Sequence, residues 1–196
     1  MRSEPVSKYK EVLEFCGKLV ANIFSRKRKV ATPKVNVRRM NAIRELNDHL
    51  KVFLDDREAW LDLSHLYLRE RDYPNAADCI EKLIVIDPLN SLYLRRLADI
   101  RYSEGGVENV EQALSYFDQA SKLNTTCVLS LIGIVKSCKD LLFHATENRR
   151  KELILSAKQA ICQLEDIFDA SDCPSDSLIR GVVEELSYTI QQFSRL

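Results

Sequence analysis

Apolar side chains recur every three or four positions along much of this chain, and short polar stretches separate the runs. The segment EAWLDLSHLYLRERDYPNAADCIEKLIVIDP, residues 58–88, contains two such runs. Their stripes comprise Trp60, Leu63 and Tyr67, followed by Ala76, Ile80 and Leu83. Each stripe predicts an amphipathic helix of about three turns. Because only a short polar turn joins them, the two helices are expected to pack antiparallel.

Local signals predict where these helices begin and end. Asp72 is placed to cap the second helix, and Pro74 suits its first turn, where a missing N–H costs nothing. The pair Asp87-Pro88 predicts the end of that helix. Further on, Gly105-Gly106 predicts another helix end.

The pattern repeats with a period of about 34 residues. That step relates Trp60 to Leu94, Leu63 to Leu97 and the small Ser64 to Ala98. The second helix of the next pair lies 37 positions after the second helix of this pair, which predicts a longer turn in the next pair. Its Ala113, Phe117 and Ala120 match Ala76, Ile80 and Leu83. The segment NAIRELNDHLKVFLDD, 41–56, is interpreted as an earlier copy of the second helix, and 9–20 as another.

The combination of Trp60, Leu63, Tyr67, Ala76 and Pro88 resembles the tetratricopeptide repeat, with departures at Ser64, Leu83 and Thr125. The resemblance implies an all-α fold, a right-handed superhelical solenoid of antiparallel helix hairpins. The expected packing residues are Trp60, Leu63, Ser64, Tyr67, Ala76, Ile80, Leu83, Pro88, Leu94, Leu97, Ala98, Ala113, Phe117 and Ala120.

Three segments are expected along the chain. Residues 1–37 are interpreted as a partial repeat with a basic segment, and 38–124 as complete repeats. Residues 125–196 are expected to form three capping helices, at 127–145, 148–170 and after a loop at 171–176. Residues 9–20 resemble the second helix of a unit whose first helix is absent, and Pro33 interrupts what should be the first helix of the next unit. We therefore expect upstream repeats to be missing.

Charge and cysteine usage narrow the possible functions. Lysine plus arginine and aspartate plus glutamate both total 29, which does not favour a nucleic-acid binder. The basic segment 26–39 holds seven basic residues and no acid. It could be a nuclear-import signal or contact anionic lipid or RNA, but a solvated or protein-docking segment is favoured. The six cysteines lack metal-ligand spacing, and Cys16, Cys79 and Cys138 are interpreted as core residues of a protein from a reducing compartment.

No catalytic, cofactor or metal site is expected. His49, His65 and His144 are far apart in the sequence, and no phosphate-binding loop or hydrolase motif occurs. The acidic pairs Asp55-Asp56 and Glu184-Glu185 are interpreted as solvated charge. The longest uncharged run, residues 123–135, is too short to span a bilayer.

A repeat of this type offers an extended concave surface to partners. The first-helix positions expected to face it are Leu61, His65, Leu68 and Arg69, then Arg95, Asp99 and Tyr102. Their mixture of charged, aromatic and aliphatic groups suits a peptide or a helix of a partner.

The motifs AIRELN at 42–47, GGVEN at 105–109 and YFDQASKLN at 116–124 resemble the ER membrane protein complex subunit 2 family. The resemblance implies a non-catalytic scaffold, peripheral on the cytosolic face of the endoplasmic reticulum, that supports insertion of tail-anchored and multipass proteins. Its implied partners are other subunits of that complex, both membrane-embedded and cytosolic, and it would contact the membrane only through them.

A generic adaptor or co-chaperone is the alternative. A resemblance to a co-chaperone clamp would require a lysine and an asparagine at two first-helix positions. Those positions are occupied here by Leu61 and His65 in one unit and by Arg95 and Asp99 in the next. That departure counts against the alternative. No nucleic-acid partner is expected, although RNA binding through the basic segment predicts steep salt dependence.

Overall fold

Seven α-helices follow one another along residues 36–169, which the computed structural model describes together with seven positions between 181 and 191. The helices are α1 (Asn36–Leu50), α2 (Arg57–Arg69), α3 (Tyr73–Ile86), α4 (Ser91–Glu104), α5 (Val107–Leu123), α6 (Val128–Leu142) and α7 (Glu147–Asp169). Since the described residues form helices and turns without a strand, the all-α prediction is confirmed. The predictions for 9–20, Pro33 and the loop at 171–176 lie outside the described residues.

The ends of α3 agree with the sequence signals. The side chain of Asp72 accepts a hydrogen bond from the backbone N–H of Asn75 at 3.3 Å, and Pro74 lies in the first turn. The helix ends where the N–H of Asp87 donates to the carbonyl of Leu83 at 2.9 Å. Three residues later, Asn90 caps the start of α4 by accepting from the N–H of Leu92 at 3.1 Å.

Two glycines separate α4 from α5. Gly105 and Gly106 have φ values of 79° and 88°, a left-handed region that residues with a Cβ rarely adopt. The predicted helix end is therefore confirmed, and the conformation explains why both positions are glycine.

The chain divides into two compact units, Met1–Tyr67 and Leu68–Leu196. In the first unit, α1 and the part of α2 up to Tyr67 have buried apolar positions. These are Ala42, Ile43, Leu46, Leu50, Ala59, Leu63 and Leu66. Asn47 joins the two helices, since its side-chain amide donates to the hydroxyl of Tyr67 at 3.2 Å.

The first helix ends earlier than the apolar pattern of 41–56 suggested. It stops at Leu50, and residues 51–56 form a turn in which Val52 and Leu54 are 72% and 65% exposed. The turn is held because the indole N–H of Trp60 donates to the carbonyl of Leu54 at 2.8 Å. Val52 and Leu54 thus extend the apolar pattern of the sequence, but they lie in the turn and not in the helix.

The interpretation of Asp55-Asp56 as solvated charge is wrong for Asp56. Its side chain is 17% exposed, and its Oδ2 lies 2.9 Å from Nε2 of the buried His49. Its Oδ1 accepts from the N–H of Ala59 at 3.2 Å, which caps α2. The His49 ring also stacks on Phe53, with ring centroids 4.9 Å apart.

In the second unit each helix packs against the next, from α3 and α4 through to α6 and α7, and α4 also contacts α6. The core shared by α4 to α7 includes Ala98, Phe117, Leu131, Cys138 and Leu164. This nearest-neighbour order is typical of a helical repeat.

At Gly133, α6 lies close against the Phe117 ring of α5. A Cβ atom placed there would lie 2.5 Å from Cε1 of the Phe117 ring, well inside van der Waals contact. Ser130 and Ser137, also on α6, are buried. Small residues therefore let this helix approach its neighbour.

The expected packing residues occupy three kinds of environment. The buried ones are Leu63, Ser64, Ala76, Ile80, Leu83, Leu94, Leu97, Ala98, Ala113, Phe117 and Ala120. Trp60 and Tyr67 are half-buried, and both use their polar atoms in hydrogen bonds. Pro88 corrects the expectation, because it is exposed beyond the end of α3 and packs into no core. Its ring restricts the backbone there instead.

Candidate partner-binding surface

Three of the predicted surface residues share one face of α4. Arg95, Asp99 and Tyr102 are spaced by one and two helical turns, so they point the same way. The guanidinium Nη1 of Arg95 lies 2.8 Å from Oδ2 of Asp99. The hydroxyl of Tyr102 donates to Oδ2 of Asp140, on α6, at 2.6 Å.

This surface extends from α4 onto α6. Lys136 and Asp140 are one turn apart on α6, and the charge of Lys136 acts on Asp99. We call the surface formed by Arg95, Asp99, Tyr102, Lys136 and Asp140 the α4–α6 face. It combines two cations, two carboxylates and one aromatic ring, which are groups that form hydrogen bonds and ion pairs.

Tyr102 acts as a hydrogen-bond donor within this face. Burial raises the pKa of its hydroxyl to about 12, and the hydrogen bond to Asp140 and the charge of that carboxylate act in the same direction. The hydroxyl therefore keeps its proton at neutral pH and fixes the position of the Asp140 carboxylate.

Opposing influences act on Asp99. Loss of solvation raises the pKa of its carboxyl, although the side chain is 51% exposed, and Arg95, Lys136 and Arg96 counter that rise. Since solvent still reaches the side chain, its ion pair with Arg95 is partly screened. Asp99 is therefore the more accessible partner, since the Arg95 side chain is only 18% exposed.

The other predicted surface residues all lie on α2. Leu61, half-buried, and His65, exposed, are one turn apart within the first unit. Arg69 is exposed, Leu68 is half-buried, and both are assigned to the second unit. Their role in partner binding stays a prediction.

Sequence reasoning missed Lys136 and Asp140. Lys136 follows Asp99 by 37 positions, the same step that relates Ala76 to Ala113. Applying that step to the first helices would have found it. Asp140 carries no such signal, because its contact with Tyr102 depends on how α4 and α6 pack.

Among the described residues, no cluster of three or more histidine, cysteine, aspartate or glutamate side chains could hold a metal ion. Within the same residues, no helix combines the length and the apolar character that crossing a membrane requires.

Comparison with known families decides the affiliation. Residues 9–122 match the family model described as the EMC2 TPR-like repeat domain, which is more than half of the 196-residue chain. The chain belongs to the EMC2 family. The resemblance drawn from the AIRELN, GGVEN and YFDQASKLN motifs is thereby confirmed, as is the tetratricopeptide-repeat character of the fold.

Named EMC2 relatives match over much of this chain. ER membrane protein complex subunit 2-B of Xenopus laevis is 35% identical over 174 residues, which cover 86% of this chain and 59% of that protein. ER membrane protein complex subunit 2 of Dictyostelium discoideum is 31% identical over 149 residues, covering 70% of this chain and 46% of that protein. The chain thus spans 59% and 46% of the length of these two EMC2 proteins.

Two solved structures share the helical arrangement with this EMC2-family chain. The crystal structure of MamA protein matches with a TM-score of 0.55 at 14% identity and covers 69% of each chain. A second MamA crystal structure gives a TM-score of 0.51, also at 14% identity, and covers 81% of this chain and 90% of its own. At such low identity the likeness concerns the fold alone.

Proposed function

We propose that this chain is a non-catalytic scaffold subunit of the ER membrane protein complex. The observation that carries the proposal is the EMC2 family match over residues 9–122, together with 35% identity to a protein named as a subunit of that complex. The scaffold role agrees with a repeat in which neighbouring helices pack into one core and leave charged and aromatic side chains on a shared face.

The proposed place of action is the cytosolic face of the endoplasmic reticulum. There the chain would hold membrane-embedded and cytosolic subunits together and touch the membrane only through them. It would support insertion of tail-anchored and multipass proteins by positioning the subunits that carry out insertion. In the second unit the α4–α6 face is a proposed contact surface, and Arg69 is a separate proposed contact position of that unit. In the first unit, Leu61 and His65 on α2 are proposed contact positions of their own.

Affinity purification from membranes tests this proposal. The tagged chain is expressed in cells of the organism that it comes from, and the membranes are solubilised in mild detergent. Proteins that co-purify with the chain are identified by mass spectrometry. We expect subunits of the ER membrane protein complex to be recovered in fixed proportion to the chain. Recovery of chaperones without any membrane-embedded subunit would contradict the proposal and favour a generic adaptor.

A longer version of the chain makes that result interpretable. Because the chain spans 59% of a named relative, the same purification is repeated with the parts of that relative outside the matched region added. If the longer version also fails to recover membrane-embedded subunits, the scaffold role is wrong.

A further inference from the structure

A pocket of about 420 Å³ opens beside the α4–α6 face, where the end of α4, the start of α5 and the end of α6 meet. Its volume lies at the lower end of the range for ligand pockets in proteins. All the residues that line it belong to the second unit. It therefore suits one side chain of a bound polypeptide better than a large cofactor.

One carboxylate dominates the chemistry of this pocket. Asp140 is the only aspartate, glutamate, lysine or arginine among the lining residues. Its Oδ2 accepts the 2.6 Å hydrogen bond from Tyr102, which also lines the pocket. Within the described part of the chain, no lysine or arginine forms an ion pair with Asp140. The carboxylate is thus held in place by a neutral donor and keeps its negative charge available.

Besides Asp140 and Tyr102, His144 adds an imidazole to the lining, and the rest is apolar side chains or bare backbone. Val107 and Val110 on α5 and Leu141 on α6 provide aliphatic surface. Gly105 and Gly106 add backbone without side chains, and a Cβ atom at either position would meet nothing within 4 Å. The double glycine therefore leaves this side of the pocket open.

A carboxylate beside aliphatic walls matches the two parts of a basic side chain. Lysine and arginine place their methylene stems along apolar surface and their charged ends on polar groups. A neutral or acidic side chain could satisfy only one of these parts. We propose that this pocket binds a lysine or arginine side chain of a partner polypeptide, with Asp140 as the counter-charge.

The proposal is independent of which complex the chain joins. It assigns a ligand chemistry to a site outside the residues predicted from the repeat pattern, apart from Tyr102. It also gives Tyr102 a positioning role, because its hydroxyl holds the carboxylate that meets the ligand.

Nuclear magnetic resonance can detect such binding directly. The ¹⁵N-labelled chain is titrated with arginine methylamide and with lysine methylamide, each acetylated on its α-amino group only, so that the side chain keeps its charge. We expect saturable shifts of the Gly105 and Gly106 amide signals, whereas that of Gly133, which does not line the pocket, stays unchanged. The norleucine derivative, with a stem but no charge, and the glutamate derivative, with the opposite charge, should bind at least about threefold more weakly.

A matched pair of variants isolates the carboxylate. Asp140→Asn keeps the shape and an acceptor for Tyr102 but removes the charge, so binding should weaken at least about threefold, as for a partly exposed ion pair. Asp118→Asn is the control, since Asp118 pairs with Lys122 at 2.6 Å on α5 and does not line the pocket. It should leave the affinity unchanged.

Three outcomes would overturn the proposal. They are shifts that do not saturate, equal binding of the norleucine or glutamate derivative, and unchanged affinity in Asp140→Asn. The Gly133 signal verifies in the same spectra that each variant is folded.

Discussion

At Gly133 the backbone of α6 lies against the ring of Phe117 with no side chain between them. Two effects of a substitution there act in opposite directions. Alanine favours a helix over glycine by about 1 kcal/mol, whereas overpacking a tight core costs about 1–3 kcal/mol. Because Gly133 and Phe117 are both buried, the Phe117 ring cannot easily move aside for an added methyl group.

We therefore expect Gly133→Ala to lower the free energy of unfolding by up to about 2 kcal/mol, the excess of overpacking over helix propensity. Urea unfolding followed by circular dichroism measures the change. Gly181→Ala is the control, because that glycine is helical and a Cβ there would meet nothing within 4 Å. It should be neutral or stabilising, and equal stability of the two variants would show that α5 and α6 are not tightly packed at Gly133.

Two cysteines are protected by burial. Cys79 and Cys138 are buried, which confirms their interpretation as core residues, while Cys16 lies outside the described residues. Burial raises the pKa of the Cys79 thiol to about 12 and that of Cys138 to about 11. Because the thiolate is the reactive form, both side chains should be inert at neutral pH.

We expect native iodoacetamide labelling at pH 8 to modify the exposed Cys162 and to spare Cys79 and Cys138. Peptide mass spectrometry after a timed reaction gives the modified fraction at each position. In denaturant all three should react at similar rates, which controls for peptide recovery. Native labelling of Cys138 as fast as Cys162 would mean that the α6–α7 core opens readily.

At the scale of the helical elements, the turn between α1 and α2 depends on side chains as much as on backbone. Asp56 caps α2 and pairs with His49, while the Trp60 indole donates to Leu54 within the same turn. Trp60 therefore contributes through half-buried apolar contact and through a hydrogen bond.

Trp60→Ala should lower the free energy of unfolding by about 2–4 kcal/mol, since it removes both contributions. Trp60→Phe keeps most of the apolar contact and loses only the N–H, so about 1 kcal/mol is expected. Chemical denaturation of both variants separates the two terms. If the phenylalanine variant is as unstable as the alanine variant, the hydrogen bond to Leu54 dominates.

The contrast between α3 and α1 shows which elements a sequence can predict. Both ends of α3 carry local signals, Asp72 with Pro74 and Asp87 with Pro88, and the structure confirms them. The end of α1 carries none, because Val52 and Leu54 continue the apolar period that the turn interrupts. There the deciding contact comes from Trp60, which lies beyond the helix.

The candidate surface was predictable to a similar extent. Helical spacing alone places Arg95, Asp99 and Tyr102 on one face of α4, which the structure confirms. Asp140 required the packing of α4 against α6, and that packing depends on three-dimensional contacts that periodicity does not encode.

At the scale of the whole molecule, the proposed function predicts that the α4–α6 face is needed for assembly. We expect Arg95→Ala combined with Asp99→Ala to reduce recovery of membrane-embedded subunits in the affinity purification at least about threefold. A partner segment would lose its contacts with both charged groups at once. Partly exposed ion pairs contribute up to about 1 kcal/mol each.

The control is another ion pair of the same spacing. Asp118 and Lys122, on α5, are also four residues apart, with the nitrogen and oxygen atoms at 2.6 Å. Replacing both by alanine removes an equivalent pair outside the α4–α6 face and should leave recovery unchanged. Equal losses in the two double variants would place the contact surface elsewhere.

The neighbour-to-neighbour packing of α3 to α7 also bears on how the second unit responds to mechanical load. When stability is a sum of neighbouring interfaces, no single contact holds the array together. A stretching force applied in an optical trap should therefore extend this unit in several small steps, as successive helices peel away. A helical array with that property can lengthen in stages under load and recover its packing when the load ends.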